Sequence, residues 1–204
     1  MSLLDALCAK HGTDKASTHP VKGHGYANFY AQFFAPLYNF PLKLLEIGVG
    51  GGESVKVWLE YFPQASVVGT DITQDTNEWN DPGKSPDPRY AFVQGPQESE
   101  TFWACFLADR GKDWDIIIDD GGHFNDGVIT SFKCLWPALK PGALYCIEDL
   151  GVAYSPGSVF IRSGFKSHVD WMREKVDELH QGPTDIEEIH LFKELAIFRK
   201  KDGV

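Results

Sequence analysis

Residues Leu45-Glu46-Ile47-Gly48-Val49-Gly50-Gly51-Gly52-Glu53-Ser54 decide the fold. An apolar β-type run, KLLEIGV at 43–49, leads straight into the glycines, and a helical stretch follows at Glu53–Tyr61. Glycine lets a chain turn tightly and bring backbone N–H groups against a ligand at the start of a helix. Strand, glycine turn and helix in that order open an α/β unit. The dinucleotide fingerprint GxGxxG asks for a third glycine at position 53, where helix and strand pack closely. Glu53 stands there instead, which counts against a nicotinamide dinucleotide.

Working outward, apolar β-type runs alternate with helical stretches, the pattern of βαβ units and a parallel sheet. The expected strands are 43–49, SVVGTDI at 66–72, YAFVQG at 90–95, WDIIIDD at 114–120 and ALYCIED at 143–149. Their nearly continuous hydrophobicity suits strands covered on both faces. Helices are expected at Glu53–Tyr61, Ser99–Asp109, Val128–Leu139 and Phe165–His180, with a surface loop at 74–89. Upstream lie a short helix at 2–10, a polar stretch HGTDKASTHPVKGHG and an aromatic helix at Tyr26–Tyr38. The end, EEIHLFKELAIFRKK, reads as an antiparallel hairpin turning at Lys193-Glu194. Five alternating units closed by a hairpin resemble the class I methyltransferases: α/β, Rossmann-like, a mostly parallel seven-stranded sheet with a C-terminal antiparallel hairpin. We expect one domain over 1–204, with a helical cap segment at 1–40 and the Rossmann-like core at 41–204.

Composition narrows the partners. A chain of 204 residues with 43% hydrophobic content can bury a substantial core. No apolar run is long enough to span a bilayer, and the N-terminal residues show no signal-peptide pattern. The net charge of −10, with Lys and Arg scattered, argues against nucleic acid and for a small-molecule substrate. Cys8, Cys105, Cys134 and Cys146 have no CxxC or metal-finger spacing, which fits thiols in a reducing cytoplasm. No feature implies a membrane partner.

Chemistry gathers at the strand ends. Asp71 closes the second strand, where a carboxylate accepts ribose hydroxyls in more than one cofactor class. The adenine side is expected after the third strand, near Gln94, Gly95 and Gln97. The fourth strand ends Asp119-Asp120-Gly121-Gly122-His123 and the fifth Ile147-Glu148-Asp149. Asp119 alternates away from Asp120, so one of the two faces the site, and Asp120 is the choice. Carboxylates packed together repel unless a cation neutralises them, and hard oxygen donors suit Mg²⁺ or Mn²⁺. We therefore expect Asp120, Glu148 and Asp149 as metal ligands and His123 as the proton acceptor.

The segment IIDDGGHFNDGVITSFKCLWPALKPGALYCIEDL resembles the metal-dependent sugar O-methyltransferases of macrolide biosynthesis, with their DDGSH-type turn and IEDL-type strand end. The N-terminal HGTDKAS…HGYANFYAQFF is similar to the same family, through Thr13, Asp14, Lys15, His24, Tyr26 and Tyr30. Glu46 completes the ExGxGxG arrangement of S-adenosylmethionine (SAM) methyltransferases. The resemblance implies Mg²⁺ on Asp120, Glu148 and Asp149, with His123 as general base. It implies SAM at Tyr26, Glu46, Gly48, Gly50, Ser54, Asp71, Ile72, Gln97 and Asp119. The polar stretch after Asp149, GVAYSPGSVFIRSGFKSH, reads as a substrate lid, with Tyr154, Phe160 and Arg162 near the acceptor. The expected activity is SAM-dependent methylation of a sugar or other natural-product hydroxyl. A catechol, phenol or carboxylic acid acceptor is the alternative, as is a non-catalytic SAM-binding module. Several members of the resembling family carry a separate N-terminal oligomerisation domain, which this sequence is not expected to include, and a homo-oligomer is among the expected partners.

Overall fold

A computed structural model describes residues 1–73, 78–81, 83–154 and 157–203. The chain divides into two compact units, Met1–Gln94 and Gly95–Val204.

The first unit holds helices α1 (Leu3–His11), α2 (Tyr26–Phe34) and α3 (Glu53–Tyr61) with strands β1 (Lys43–Ile47), β2 (Ser66–Asp71) and β3 (Tyr90–Gln94). Its strand order is β3-β2-β1, all parallel, with Leu45 opposite Val68 and Val68 opposite Ala91. Ser2 starts α1 by accepting the Asp5 N–H at 3.1 Å, and Gly12, at φ +77°, ends it in the left-handed conformation that glycine takes without strain. The aromatic stretch predicted as one helix to Tyr38 is helical to Phe34 and then tightens into a 3₁₀ turn at Ala35–Leu37, where Pro36 enters. Trp58 meets Tyr30 and Phe34 edge-on at 6.1 and 6.0 Å, and all three are fully buried. Each such ring contributes on the order of 1.5–3 kcal/mol by leaving water.

The second unit holds α4 (Glu100–Arg110), α5 (Asn125–Leu135) and α6 (His168–Gln181) with β4 (Trp114–Asp119), β5 (Leu139–Ile147), β6 (Ile186–Phe192) and β7 (Leu195–Lys200). Its strand order is β4-β5-β7-β6, parallel between β4 and β5 and antiparallel thereafter. The seven strands make the mostly parallel sheet with an antiparallel C-terminal pair that the sequence predicts. Phe132, Trp136, Tyr145, Trp171 and Phe198 pack as one aromatic cluster in this unit's core.

Several boundaries differ from expectation: α6 begins at His168 rather than Phe165, and α5 ends at Leu135 rather than Leu139, where a 3₁₀ turn at Trp136–Ala138 takes over. Strand β5 begins at Leu139, four residues before the predicted start, because Leu139 pairs with Trp114 and the register shifts between Trp114 and Ile116. That irregularity accommodates Pro141 and Gly142, which read as a loop in isolation. Helix α5 begins at Asn125 rather than Val128, since its polar first turn is held by a distant segment. The predicted surface loop at 74–89 falls partly outside the described residues, and Asn80 within it is fully buried.

Candidate active site

The glycine turn in the first unit is a backbone device. Gly48, Gly50 and Gly52 take φ of +81°, +46° and +84°, values that a side chain would strain. At Gly52 there is also no room, because a Cβ would lie 2.5 Å from the Cβ of Trp79. Asp71, at the end of β2, binds the turn: its Oδ2 accepts from the N–H groups of Val49 and Gly50, each at 3.2 Å. Its Oδ1 accepts from the N–H and hydroxyl of Thr73, each at 3.0 Å. A Cβ on Gly50 would meet nothing within 4 Å, so the turn borders open space at the Asp71 carboxylate.

Behind the turn the charges are enclosed. Glu46 and Lys15 are both buried, with Oε1 and Nζ 3.9 Å apart, and the Ser54 hydroxyl donates to Glu46 Oε2 at 2.8 Å. The structure thus brings Glu46 and Ser54 together inside the protein. Tyr26 is buried and lies 4.8 Å from the His24 ring, while Ile72 is exposed.

The turn after β4 is built from side chains instead. Asp119 is buried, and burial raises its carboxyl to about 6, although hydrogen bonds from Ser131, Gly121 and Gln97 work the other way. Ser131 Oγ donates to Oδ2 at 2.6 Å and the Tyr145 hydroxyl reaches the same oxygen at 3.3 Å. Gln97 Nε2 donates to Oδ1, and Gln97 Oε1 accepts the Gly122 N–H at 3.1 Å. Of the expected cofactor residues, Gln97 and Asp119 are therefore joined to each other.

Asp120, His123 and Asp149 converge, each offering one polar atom within 4.8 Å of the others. His123 Nε2 stands 3.4 Å from Asp149 Oδ2 and 3.9 Å from Asp120 Oδ1. Both His123 and Asp149 hold positive φ, +56° and +55°. For residues with side chains that costs of order 1–3 kcal/mol, and such positions gather at functional sites. Glu148 is buried, its N–H donates to the Asp119 carbonyl at 3.0 Å, and its carboxylate is not one of the converging three.

Three further residues support this turn and went unnoticed in the sequence. His168, at the first position of α6, is buried, and burial and the neighbouring His123 both lower its pKa. Asn125 reaches across to the segment expected as a lid: its Nδ2 donates to the carbonyls of Arg162 and Lys166 at 3.2 and 2.9 Å. Its Oδ1 accepts the Arg162 N–H at 2.8 Å. Asp126 pairs with Arg162 at 2.6 Å, and that guanidinium lies 4.1 Å over the Phe124 ring. Phe160 then stands 6.5 Å from the His123 ring and 5.3 Å from Phe124. Tyr154 is exposed, and residues 155–156 of the expected lid lie outside the described residues.

This geometry can be set beside known proteins. No family model matches the chain. The 8-demethyl-8-(2-methoxy-alpha-L-rhamnosyl)-tetracenomycin-C 3'-O-methyltransferase of Streptomyces olivaceus is 30% identical, over 97% of this chain and 53% of that protein. The mycinamicin VI 2''-O-methyltransferase of Micromonospora griseorubida is 37% identical over 66% of this chain and 33% of its own length. The methyltransferase of the mycinamycin pathway, solved with Mg, S-adenosylhomocysteine (SAH) and mycinamycin VI, superposes with a TM-score of 0.81 at 29% identity. That match covers 98% of this chain and 54% of the solved one. The chain has the class I methyltransferase fold and is related to the natural-product sugar O-methyltransferases. It spans about half the length of these sugar O-methyltransferases.

Proposed function

We propose that this chain is a SAM-dependent, Mg²⁺-assisted O-methyltransferase that acts on a sugar hydroxyl or another hydroxyl of a small natural-product metabolite. The observation that carries the reading is the convergence of Asp120, His123 and Asp149 within 4.8 Å. Two carboxylates and an imidazole in that space combine hard oxygen donors with a proton acceptor. The sugar O-methyltransferase relatives, one of them solved with Mg and SAH, support the same reading.

The donor chemistry fits both groups. Asp120 and Asp149 supply converging oxygens suited to Mg²⁺, and Glu148, buried just past β5 and outside that cluster, is assigned as the third ligand on the resemblance alone. The open side of the glycine turn and the Asp71 carboxylate suit a ribose, whose hydroxyls can take the place of the Thr73 contacts. When bound, SAM supplies an electrophilic methyl and Mg²⁺ lowers the pKa of a hydroxyl that touches it. His123 accepts the proton that the hydroxyl loses as its oxygen takes the methyl. Phe160, 6.5 Å from the His123 ring and packed on Phe124, places apolar surface beside the imidazole. The carboxylates fix the hydroxyl for attack, and orientation of this kind removes several kcal/mol of the barrier. In this reading residues 1–204 act as one methyltransferase domain in the cytoplasm. No described helix is long and apolar enough to cross a membrane.

The test is mass spectrometry of a panel of glycosides, polyols, catechols and carboxylic acids incubated with methyl-labelled SAM and Mg²⁺. Label is expected on a sugar hydroxyl, with loss on EDTA treatment and recovery with Mg²⁺ or Mn²⁺. Full transfer in metal-free buffer, or label on carboxylic acids alone, would overturn the proposal.

A further inference from the structure

Gln97 lies on the loop after β3, where a cofactor contact is expected, and both ends of its amide hydrogen-bond elsewhere in the protein. Nε2 donates to Asp119 Oδ1 and, at 3.3 Å, to Ser131 Oγ. Oε1 accepts the Gly122 N–H at 3.1 Å. The orientation of the amide is dictated by these partners: turned over, it would set Oε1 against a carboxylate and Nε2 against an N–H donor. Its backbone is tied as well, because Trp103 Nε1 donates to the Gln97 carbonyl at 2.8 Å.

The glycines beside it have an unusual explanation. Gly121 and Gly122 are not among the residues with positive φ, so backbone conformation does not demand glycine there. A Cβ on Gly121, however, would lie 2.3 Å from Gln97 Oε1, and one on Gly127 of α5 would lie 3.2 Å from the same atom. Gln97 occupies the space those side chains would fill. It joins Asp119, just before Asp120, to Gly122, just before His123.

We propose that Gln97 is a positioning residue: wedged between Gly121 and Gly127, its amide locks the Asp119–Gly122 turn and so sets where Asp120 and His123 stand. The proposal rests on the metal-assisted reading above. His123 holds a strained backbone, and strain of that kind persists only where surrounding contacts over-determine the conformation. Gln97 supplies those contacts for the residue next to it. Ligand-orienting partners at metal sites typically matter by about 10–100-fold in affinity or activity when removed.

Gln97→Met keeps the side-chain volume and removes both donor and acceptor. Mn²⁺ binding to the protein alone, followed by electron paramagnetic resonance, is expected to weaken by about 10–100-fold. Turnover falls with it and the melting temperature drops modestly, because the buried Asp119 carboxylate loses a donor, while SAM affinity by calorimetry stays at the wild-type value. Gly121→Ala, which displaces Gln97 without altering its chemistry, produces the same pattern and serves if Gln97→Met folds poorly. In a Gln97→Ala background the Gly121→Ala change adds nothing further, because the clash is gone. Wild-type Mn²⁺ affinity and turnover in Gln97→Met, or loss of SAM affinity with Mn²⁺ binding intact, overturns the assignment. A wild-type protein that binds no Mn²⁺ overturns the metal-assisted reading itself, and this one with it.

Discussion

The turn after β1 and the turn after β4 sit at equivalent places, each following a parallel strand, but they are made of different material. The first takes its positive φ values at Gly48, Gly50 and Gly52, and its nearest acids are compensated, Glu46 by Lys15 and Asp71 by backbone N–H groups. The second takes positive φ at His123, with Asp149 likewise strained, and gathers imidazole and carboxylate groups. A turn that recognises through its backbone can use residues that cost nothing in the required conformation. A turn that works through side chains must keep them, and needs a frame that holds the strain. Lesions in the first should therefore appear in SAM binding or folding, and lesions in the second in metal binding and turnover.

His123→Ala tests the second half of that contrast. Removing the proposed proton acceptor is expected to lower turnover by about two to four powers of ten, with SAM affinity unchanged. Steady-state kinetics beside calorimetry reads both, and a near-normal rate on a hydroxyl acceptor would erase the distinction between the turns.

Lys15→Met probes how the first turn is supported. Lys15 and Glu46 are both enclosed, and removing one partner of a buried pair costs about 3–5 kcal/mol of stability. Urea unfolding measures it. A loss below about 1 kcal/mol would mean that Ser54 and the surrounding protein carry the Glu46 charge without Lys15.

A smaller effect is expected at Asp71. Asp71→Ala removes the acceptor of the Val49 and Gly50 N–H groups and the proposed ribose contact, and should weaken SAM by about 1.5–3 kcal/mol. Turnover at saturating SAM should stay close to wild type, and a large fall there would place Asp71 with the chemistry rather than with binding.

Glu188, on the hairpin outside both turns, sets the baseline. Hydrogen bonds from Arg199 and His190 lower its pKa. A depressed carboxylate pKa contributes stability above the unfolded value, and that contribution is lost as pH falls through the folded one. With the side chain 40% exposed, screening limits it to about 0.5 kcal/mol. Glu188→Gln should cost that much at neutral pH and nothing in acid, with both ligand affinities untouched.

The parts of the molecule with a local signature were legible in the sequence. The five parallel strands announce themselves as apolar runs, and the hairpin turns at Lys193-Glu194 as expected. Asp120 and His123 stand three residues apart on one turn, and the structure brings them together with Asp149. What the sequence hid depends on residues far apart along the chain. Asn125 holds Arg162 and Lys166, 37 and 41 positions away, and a lone asparagine carries no period that points there. Lys15 meets Glu46 across much of the first unit, so Glu46 read only as part of a glycine motif. The contacts of Gln97 to Asp119 and Gly122 were hidden as well, because those partners lie more than 20 residues on and its place after a strand points only to a cofactor contact.

The Asn125 clamp also bears on how such a chain can diversify. It holds the 160–166 segment mainly by backbone atoms: the carbonyls of Arg162 and Lys166, the Arg162 N–H, and the Phe160 carbonyl that accepts the Asn125 N–H at 3.0 Å. Main-chain atoms are the same in almost every amino acid. Val159, Ile161 and Phe165 project from the neighbourhood of that anchor into solvent. Mutations there can drift, or be randomised in a library, while the segment stays moored at the same place. One asparagine thereby separates the inheritance of the segment's position from that of its chemistry, so selection can rewrite the second without rebuilding the first.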